Sequence, residues 1–185
     1  LWSRGLGDVY KRQVIWDLGP HDIGILNYIL DSEPIKVRAT GFNPFEGIYD
    51  FACHSNCDLV YENNLFATVT LSWLSAIKTR RMIFGGTKET VVYDHLDEDQ
   101  QIKIFKQSIL PSEIDASTQF EYSVGETVLP LIDNIEPLKN EIEEVVRCLK
   151  TNTKFVSDVD HAIKTIKVIE SLQLSLMSNS EFIDT

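Results

Sequence analysis

The chain has 185 residues, of which 43% are hydrophobic and 24% charged, a composition typical of folded domains and unlike that of disordered or fibrous chains. Its formal charge of -11 argues against nucleic acid and anionic membranes as partners, because both bind clustered Lys and Arg. The sequence contains neither an apolar run of the roughly 20 residues that cross a membrane nor a signal peptide's apolar centre, so we expect a cytoplasmic protein.

Residues 1–13 differ from the rest of the chain. They carry three basic residues and one acid, and they show neither a helical nor a strand period. Residues 3–13 resemble the conceptual translation of a transposase sequencing adaptor, which reads Asp-Val-Tyr-Lys-Arg-Gln in one frame. We therefore predict that residues 1–13 are non-native, the alternative being a native disordered amino terminus, and that the natural protein begins upstream of Val14.

The first predicted element is an amphipathic helix. Apolar residues recur at near-helical spacing from Ile23 to Leu30, after a Gly-Pro turn and before the helix-breaking Pro34. Residues 18–31 are therefore predicted as a loop that enters a helix, and His21 is expected near the first turn of that helix.

The middle of the chain shows the alternating pattern of β-strands. Glu62-Asn63-Asn64 separates two such runs, and Asn tolerates the positive φ of a tight hairpin turn. A second hairpin is predicted around the glycine-rich residues 85–88. The predicted strands cover residues 35–42, 57–61, 65–73, 80–84, 90–93, 101–105 and 122–129.

Two helices follow the strands. One is predicted over residues 136–151 and the next over residues 158–176, where Ser157 or Asp158 provides the N-cap. Residues 179–185 are expected to form a tail. Strands in one block with helices outside it predict an α+β fold, in which a mostly antiparallel sheet of about six strands has helices packed on one face.

Asp17 and His21 are the candidate catalytic pair. An imidazole can accept a proton from a hydroxyl group as hydride leaves the same carbon, and a nearby carboxylate can orient the imidazole. This chemistry suits the oxidation of an alcohol. The four-residue spacing alone leaves open that Asp17 is only a helix cap. His95 and His161 lie in acidic polar stretches, where surface or capping roles are expected.

Residues 53–57, Cys-His-Ser-Asn-Cys, contain two thiols and an imidazole but do not match a structural zinc site, which needs a fourth ligand and usually a Cys-x-x-Cys knuckle. Alternation along a strand places Cys53 and Cys57 on one face and His54 on the other. We predict buried thiols and no metal site. With Cys148 the chain has three cysteines, an odd number that favours reduced thiols over a disulfide framework.

Trp73, Lys78 and Arg80 are candidate substrate-binding residues. Together with Arg81 they form an aromatic and basic group that could hold a diphosphate or a sugar carboxylate, because Arg binds such anions with paired hydrogen bonds. The same residues could equally form a solvated strand edge that discourages aggregation.

Five motifs in order along the chain carry a family resemblance. They are Asp17-Leu18-Gly19-Pro20-His21-Asp22-Ile23, Ser72-Trp73-Leu74-Ser75 with Lys78 and Arg80, Gly86-Thr87-Lys88 followed by Tyr93-Asp94, Glu136-Pro137-Leu138-Lys139-Asn140-Glu141, and Val168-Ile169-Glu170 in the long last helix. Together they resemble the carboxy-terminal domain of the Gfo/Idh/MocA oxidoreductase family. The resemblance covers essentially all of residues 14–176, so residues 14–178 are expected to form a substrate-binding domain.

The resemblance implies an NAD(P)-dependent dehydrogenase that oxidises or reduces a secondary alcohol of a sugar, cyclitol or sugar nucleotide. In the family an amino-terminal Rossmann domain binds NAD or NADP, and the residues matched here by Asp17 and His21 lie beside the substrate hydroxyl. Many members have a further Asp where this chain has Gly24. Neither the glycine fingerprint nor the Glu-Lys-Pro loop of the family is present, so we predict a fragment that lacks the Rossmann domain and is inactive alone.

The resemblance also implies partners. Many relatives bury the open face of their sheet in dimer or tetramer contacts, so a homo-oligomer is expected, and the motif from Trp73 to Arg80 favours a sugar-nucleotide substrate. Two alternatives stay open. The chain could be a stand-alone sugar-binding or oligomerisation module, or part of a non-catalytic relative that only binds sugar.

Overall fold

The computed structural model describes residues 13–45, 47–48, 51–111, 120–132 and 136–185. The chain divides into two compact units, the first made of Leu1–Ser75 with Glu141–Thr185 and the second of Ala76–Asn140. The predicted non-native segment lies outside the described residues except for Gln13. None of the helices in the described ranges is long and apolar enough to cross a membrane.

Helices and strands follow one another in an order close to the predicted one. In chain order they are α1 (Val14–Leu30), β1 (Lys36–Phe42), β2 (His54–Val60), β3 (Phe66–Ser72), β4 (Arg81–Gly85), β5 (Thr90–Asp94), β6 (Ile102–Phe105), β7 (Ser108–Pro111), β8 (Phe120–Ser123), β9 (Thr127–Val128), α2 (Pro137–Thr151), α3 (Val159–Met177) and β10 (Ile183–Asp184). Helix α3 begins at the N-cap Asp158, one of the two predicted caps.

The sheet of the first unit has the strand order β10-β1-β2-β3, and its strand pairs are antiparallel. Its register aligns Ala39, Cys57 and Val69, three buried side chains on one face. Helices α1 and α3 pack against this sheet. The hairpin of β2 and β3 turns at Asn63 and Asn64, whose φ angles of 59° and 60° confirm the predicted turn.

The opposite face of this sheet has polar side chains in the middle of its strands. Arg38 donates from Nε to Oδ2 of Asp58 at 3.0 Å, across the pair of β1 and β2. The Thr70 hydroxyl donates to Oδ1 of Asn56 at 2.9 Å, across the pair of β2 and β3. Cross-strand hydrogen bonds therefore satisfy polar side chains that water also reaches.

Helix α1 begins four residues before the predicted start at residue 18. The expected loop is helical, and Pro20 lies inside the helix. Val14 and Ile15 are completely buried, and the Val14 N–H donates to the Ala52 carbonyl at 3.3 Å. The free energy gained by burying this first turn exceeds the cost of the backbone hydrogen bond that Pro20 cannot donate. The Gly-Pro pair therefore does not end the helix.

Gly19 allows α1 and α3 to pack closely. A Cβ atom at Gly19 would lie 2.8 Å from Cδ1 of Ile169, which is shorter than an ordinary van der Waals contact. Ile169 and Leu172 of α3 are completely buried. The absence of a side chain at Gly19 therefore allows the two helices to approach closely at this point.

The predicted tail over residues 179–185 is wrong, because this segment contains β10, which pairs with β1 at Lys36 and Val37. Where this pairing stops, the Ser175 hydroxyl accepts a hydrogen bond from the Ala39 N–H at 2.9 Å and donates one to the Glu181 carbonyl at 2.6 Å. Beyond its pairing with β10, β1 has no strand partner on that side among the described residues, and its buried backbone N–H groups need hydrogen-bond acceptors of this kind.

Replacing Ser175 by alanine should lower the free energy of unfolding by about 1 to 3 kcal/mol, because the buried Ala39 N–H loses its acceptor. Urea denaturation followed by circular dichroism measures the change. Ser178→Ala, at an exposed serine just after α3, is the matched control and should change stability by less than about 0.5 kcal/mol. Equal stability of the two variants would contradict a stabilising role for the Ser175 bridge.

The second unit corrects the prediction of one sheet with about six strands. The α+β class and the antiparallel pairing are confirmed, but the described residues form ten strands in three sheets, and the two in this unit have the orders β4-β5-β6-β9 and β7-β8. The predicted strand 122–129 is divided, because β8 pairs with β7 whereas β9 pairs with β6. No described side chain of this unit is fully buried.

Candidate functional site

Asp17 and His21 both lie on α1, one helical turn apart, so their side chains share a face of the helix. Both residues are exposed. Gln13 is the N-cap of α1, so the alternative that Asp17 caps the helix is wrong. His21 lies about two turns into the helix and not at the predicted junction of loop and helix.

Trp73 contacts Asp17, one residue of the predicted catalytic pair. It follows the last residue of β3, and its indole Nε1 donates to Oδ2 of Asp17 at 2.8 Å. Two further contacts hold Trp73 in place: its backbone N–H donates to the Cys53 carbonyl at 3.0 Å, and Phe51 packs edge-on with ring centroids 6.0 Å apart. The indole therefore orients the Asp17 carboxylate.

A groove of about 660 Å³ runs along α1 beside His21. Its opposite wall comes from α3 and the residues just before that helix. Trp16 forms one end, and its indole Nε1 donates to Oε1 of Gln173 at 2.6 Å. The lining includes Trp16, His21, Tyr28, His161, Thr165 and Ile166. The groove thus combines aromatic and aliphatic walls with two imidazoles.

Lys78 and Arg80 belong to the second unit, whereas Trp73 belongs to the first. Lys78 lines a pocket of about 280 Å³ together with Arg81 and Asp94. Arg81 donates from Nη2 to Oδ2 of Asp94 at 2.7 Å, and this bond lowers the pKa of the Asp94 carboxyl. Trp73 and the predicted catalytic pair therefore belong to one unit, and the predicted basic residues Lys78 and Arg80 belong to the other.

Residues 7–92 match the family model described as the GFO/IDH/MocA C-terminal domain. These residues carry a GFO/IDH/MocA C-terminal domain. The matched range includes all five candidate site residues, Asp17, His21, Trp73, Lys78 and Arg80. No curated protein matches the sequence.

Solved structures share the fold of this chain. UDP-N-acetylglucosamine 3-dehydrogenase from Acidithiobacillus ferrooxidans is 17% identical, with a TM-score of 0.68 over 90% of this chain and 48% of its own. Aldose-aldose oxidoreductase from Caulobacter crescentus is 14% identical, with a TM-score of 0.70 over 93% and 47%. An NAD-binding protein from Listeria innocua is 17% identical, with a TM-score of 0.69 over 96% and 53%. The chain therefore spans about half the length of these proteins.

The two thiols of residues 53–57 are buried in the GFO/IDH/MocA domain, as predicted. Cys53 and Cys57 are free cysteines on the helix-covered face of the sheet, and burial raises the pKa of Cys57 to about 11. His54 alternates to the other face. Within the described ranges no three His, Cys, Asp or Glu side chains are arranged to hold a metal ion.

His161 is a residue of the groove that the sequence did not indicate. Its backbone N–H donates to the Asp158 side chain at 2.9 Å, so Asp158 and not His161 caps the helix. Its imidazole, however, lines the groove that His21 also lines. His21 and His161 are far apart in the sequence, and the antiparallel packing of α1 and α3 is what brings them to one groove.

Proposed function

We propose that this chain is the substrate-binding half of an NAD(P)-dependent oxidoreductase that acts on a secondary hydroxyl of a sugar or sugar nucleotide. The observation that carries the proposal is the Trp73 hydrogen bond to Asp17, which fixes a carboxylate one turn from His21 beside a groove with aromatic walls. Two of the proteins with a similar fold are named as oxidoreductases of a sugar nucleotide and of aldoses, which supports this substrate class.

His21 would act on the hydroxyl proton. Oxidation of a secondary alcohol to a ketone removes a proton from oxygen and a hydride from carbon, and the imidazole of His21 can take the proton. The exposed position of His21 leaves its ring accessible to a hydroxyl. Asp17, held by Trp73, would orient the imidazole, and Trp73 thus acts through Asp17.

The described residues do not fit a nicotinamide dinucleotide. Binding of the pyrophosphate in a Rossmann fold needs a glycine-rich turn between a parallel strand and a helix. The strand pairs described here are antiparallel. We therefore assign binding of NAD or NADP to the other half of the full-length protein, and no residue of this chain to hydride transfer.

We expect the full-length protein that contains this chain to reduce NAD⁺ or NADP⁺ in the presence of a sugar nucleotide or an aldose. Nicotinamide absorbance follows the reaction, and NMR identifies the keto sugar. Sugar binding without turnover of any of these compounds would instead support the alternative, a stand-alone or non-catalytic sugar-binding module.

A homo-oligomer that uses an open sheet face is also part of the proposal. Apolar side chains of the sheet β4-β5-β6-β9, among them Met82, Phe84, Val91 and Ile104, are only half-buried. Analytical ultracentrifugation should find a dimer or larger species for the full-length protein. A monomer over the whole concentration range would contradict this part of the proposal.

A further inference from the structure

The groove beside His21 has no charged lining. No Lys, Arg, Asp or Glu of the described residues lines it, although the chain has a formal charge of -11. Its polar groups are the imidazoles of His21 and His161, the hydroxyls of Tyr28, Ser157 and Thr165, and the Trp16 indole N–H, which already donates to Gln173. A carboxylate or phosphate placed there would lose water without gaining a Lys or Arg as partner, whereas a hydroxyl could bond to a neutral imidazole in either direction.

Gly24 leaves the space in which the His161 imidazole lies. A Cβ atom at Gly24 would be 3.6 Å from Nε2 of His161 and 3.8 Å from Oγ1 of Thr165, both ordinary contact distances. A larger side chain at this position would therefore enter the space beside the imidazole. The Thr165 hydroxyl already donates to the His161 carbonyl at 3.0 Å, which leaves the imidazole as the stronger ligand for an incoming hydroxyl.

Both walls of the groove are fixed before any ligand binds. Trp16 is tied to Gln173 of α3, and the Asp158 cap holds the backbone of His161. Fixed side chains lose little conformational entropy when a ligand binds. Trp16 and Tyr28 offer flat apolar surfaces suited to the C–H face of a sugar ring.

We infer that His161 is a second ligand-binding imidazole and that the groove beside His21 selects an uncharged, hydroxyl-bearing ring. The inference rests on the proposed function, because it names the part of the substrate that His21 meets. Any charged part of a substrate would then have to be bound outside this groove.

The test uses the 185-residue chain and the NMR signals of the four histidine rings. The probes are methyl β-glucopyranoside and the matching methyl glucuronide, which differ by one carboxylate. The neutral glycoside should shift the signals of His21 and His161 together, with a Kd of about 1 to 10 mM, and the glucuronide should bind about tenfold more weakly or worse. Equal binding of the two probes, or no shift of either histidine signal, would overturn the inference.

Variants show whether His161 itself contributes to binding of the neutral glycoside. His161→Ala should weaken the response of His21 to the neutral glycoside by about tenfold, whereas His95→Ala, at an exposed histidine of the second unit, should leave it unchanged. Gly24→Ala should preserve binding, and Gly24→Asp should reduce it by filling the space beside His161. An unchanged His21 response in H161A would overturn the role of His161. Turnover by the full-length protein tests the proposed function independently.

Discussion

Replacing His21 by alanine in the full-length protein should lower kcat by about 100-fold or more, because the hydroxyl proton loses its acceptor. The fold should not change, since His21 is exposed and no hydrogen bond of its ring is found among the described residues. Steady-state kinetics give kcat and KM, and circular dichroism of the same preparation verifies the fold. A loss confined to kcat would indicate an interaction made in the transition state, whereas a rise in KM alone would indicate ground-state binding.

Two further variants test the role of His21, one as a control and one through Asp17. His95→Ala removes an exposed imidazole from the second unit and should leave kcat unchanged. Trp73→Phe keeps an aromatic ring against Phe51 but removes the donor to Asp17, so a drop in kcat of about tenfold is expected. Activity of H21A within a few-fold of the wild type would remove His21 from the mechanism.

The parts of the fold that local patterns determine were predictable. Alternation in residues 35–42 and the asparagines between β2 and β3 placed a strand and a hairpin within one to three residues of their observed positions. Apolar periodicity and the Asp158 cap located α3. In each case the deciding interactions lie within a few residues of sequence, which is why pattern and structure agree.

The predictions were wrong where contacts between residues far apart in the sequence determine the secondary structure. Residues 14–17 are helical because Val14 and Ile15 are buried in the folded chain. The Gly-Pro pair in the sequence indicated a loop instead. Residues 183–184 form a strand only because β1 needs a partner. A single sheet was expected since alternation identifies strands but not the strand that each one pairs with.

The residues of the candidate site could be proposed from the sequence, but their arrangement could not. Asp17 and His21 are four residues apart, and helical geometry alone places them on one face. The hydrogen bond between Trp73 and Asp17 spans 56 positions, and no local pattern indicates it. The same holds for His161, whose approach to Gly24 depends on how α1 and α3 pack.

Alkaline pH should unfold the chain through Cys57 and Tyr61. Burial raises the pKa of the Cys57 thiol from 9.0 to about 11 and that of the Tyr61 hydroxyl from 10.0 to about 12. The unfolded state therefore loses each proton first, so the free energy of unfolding falls as the pH rises above about 9. The Cys57 thiol should contribute a loss of up to about 3 kcal/mol once the pH passes its folded pKa, and the Tyr61 hydroxyl a smaller loss. Urea denaturation at a series of pH values from neutral to alkaline measures the slope.

Tyr61→Phe separates the two contributions, since it removes a buried hydroxyl that has no hydrogen-bond partner among the described residues. The variant should be at least as stable as the wild type at neutral pH, because an unpaired buried hydroxyl is unfavourable, and its stability should fall less between pH 10 and 12. Tyr28→Phe, at an exposed tyrosine, should retain the slope of the wild type. If Y61F and Y28F lose stability equally at high pH, the alkaline transition does not come from the buried tyrosine, and Cys57 is left to account for it.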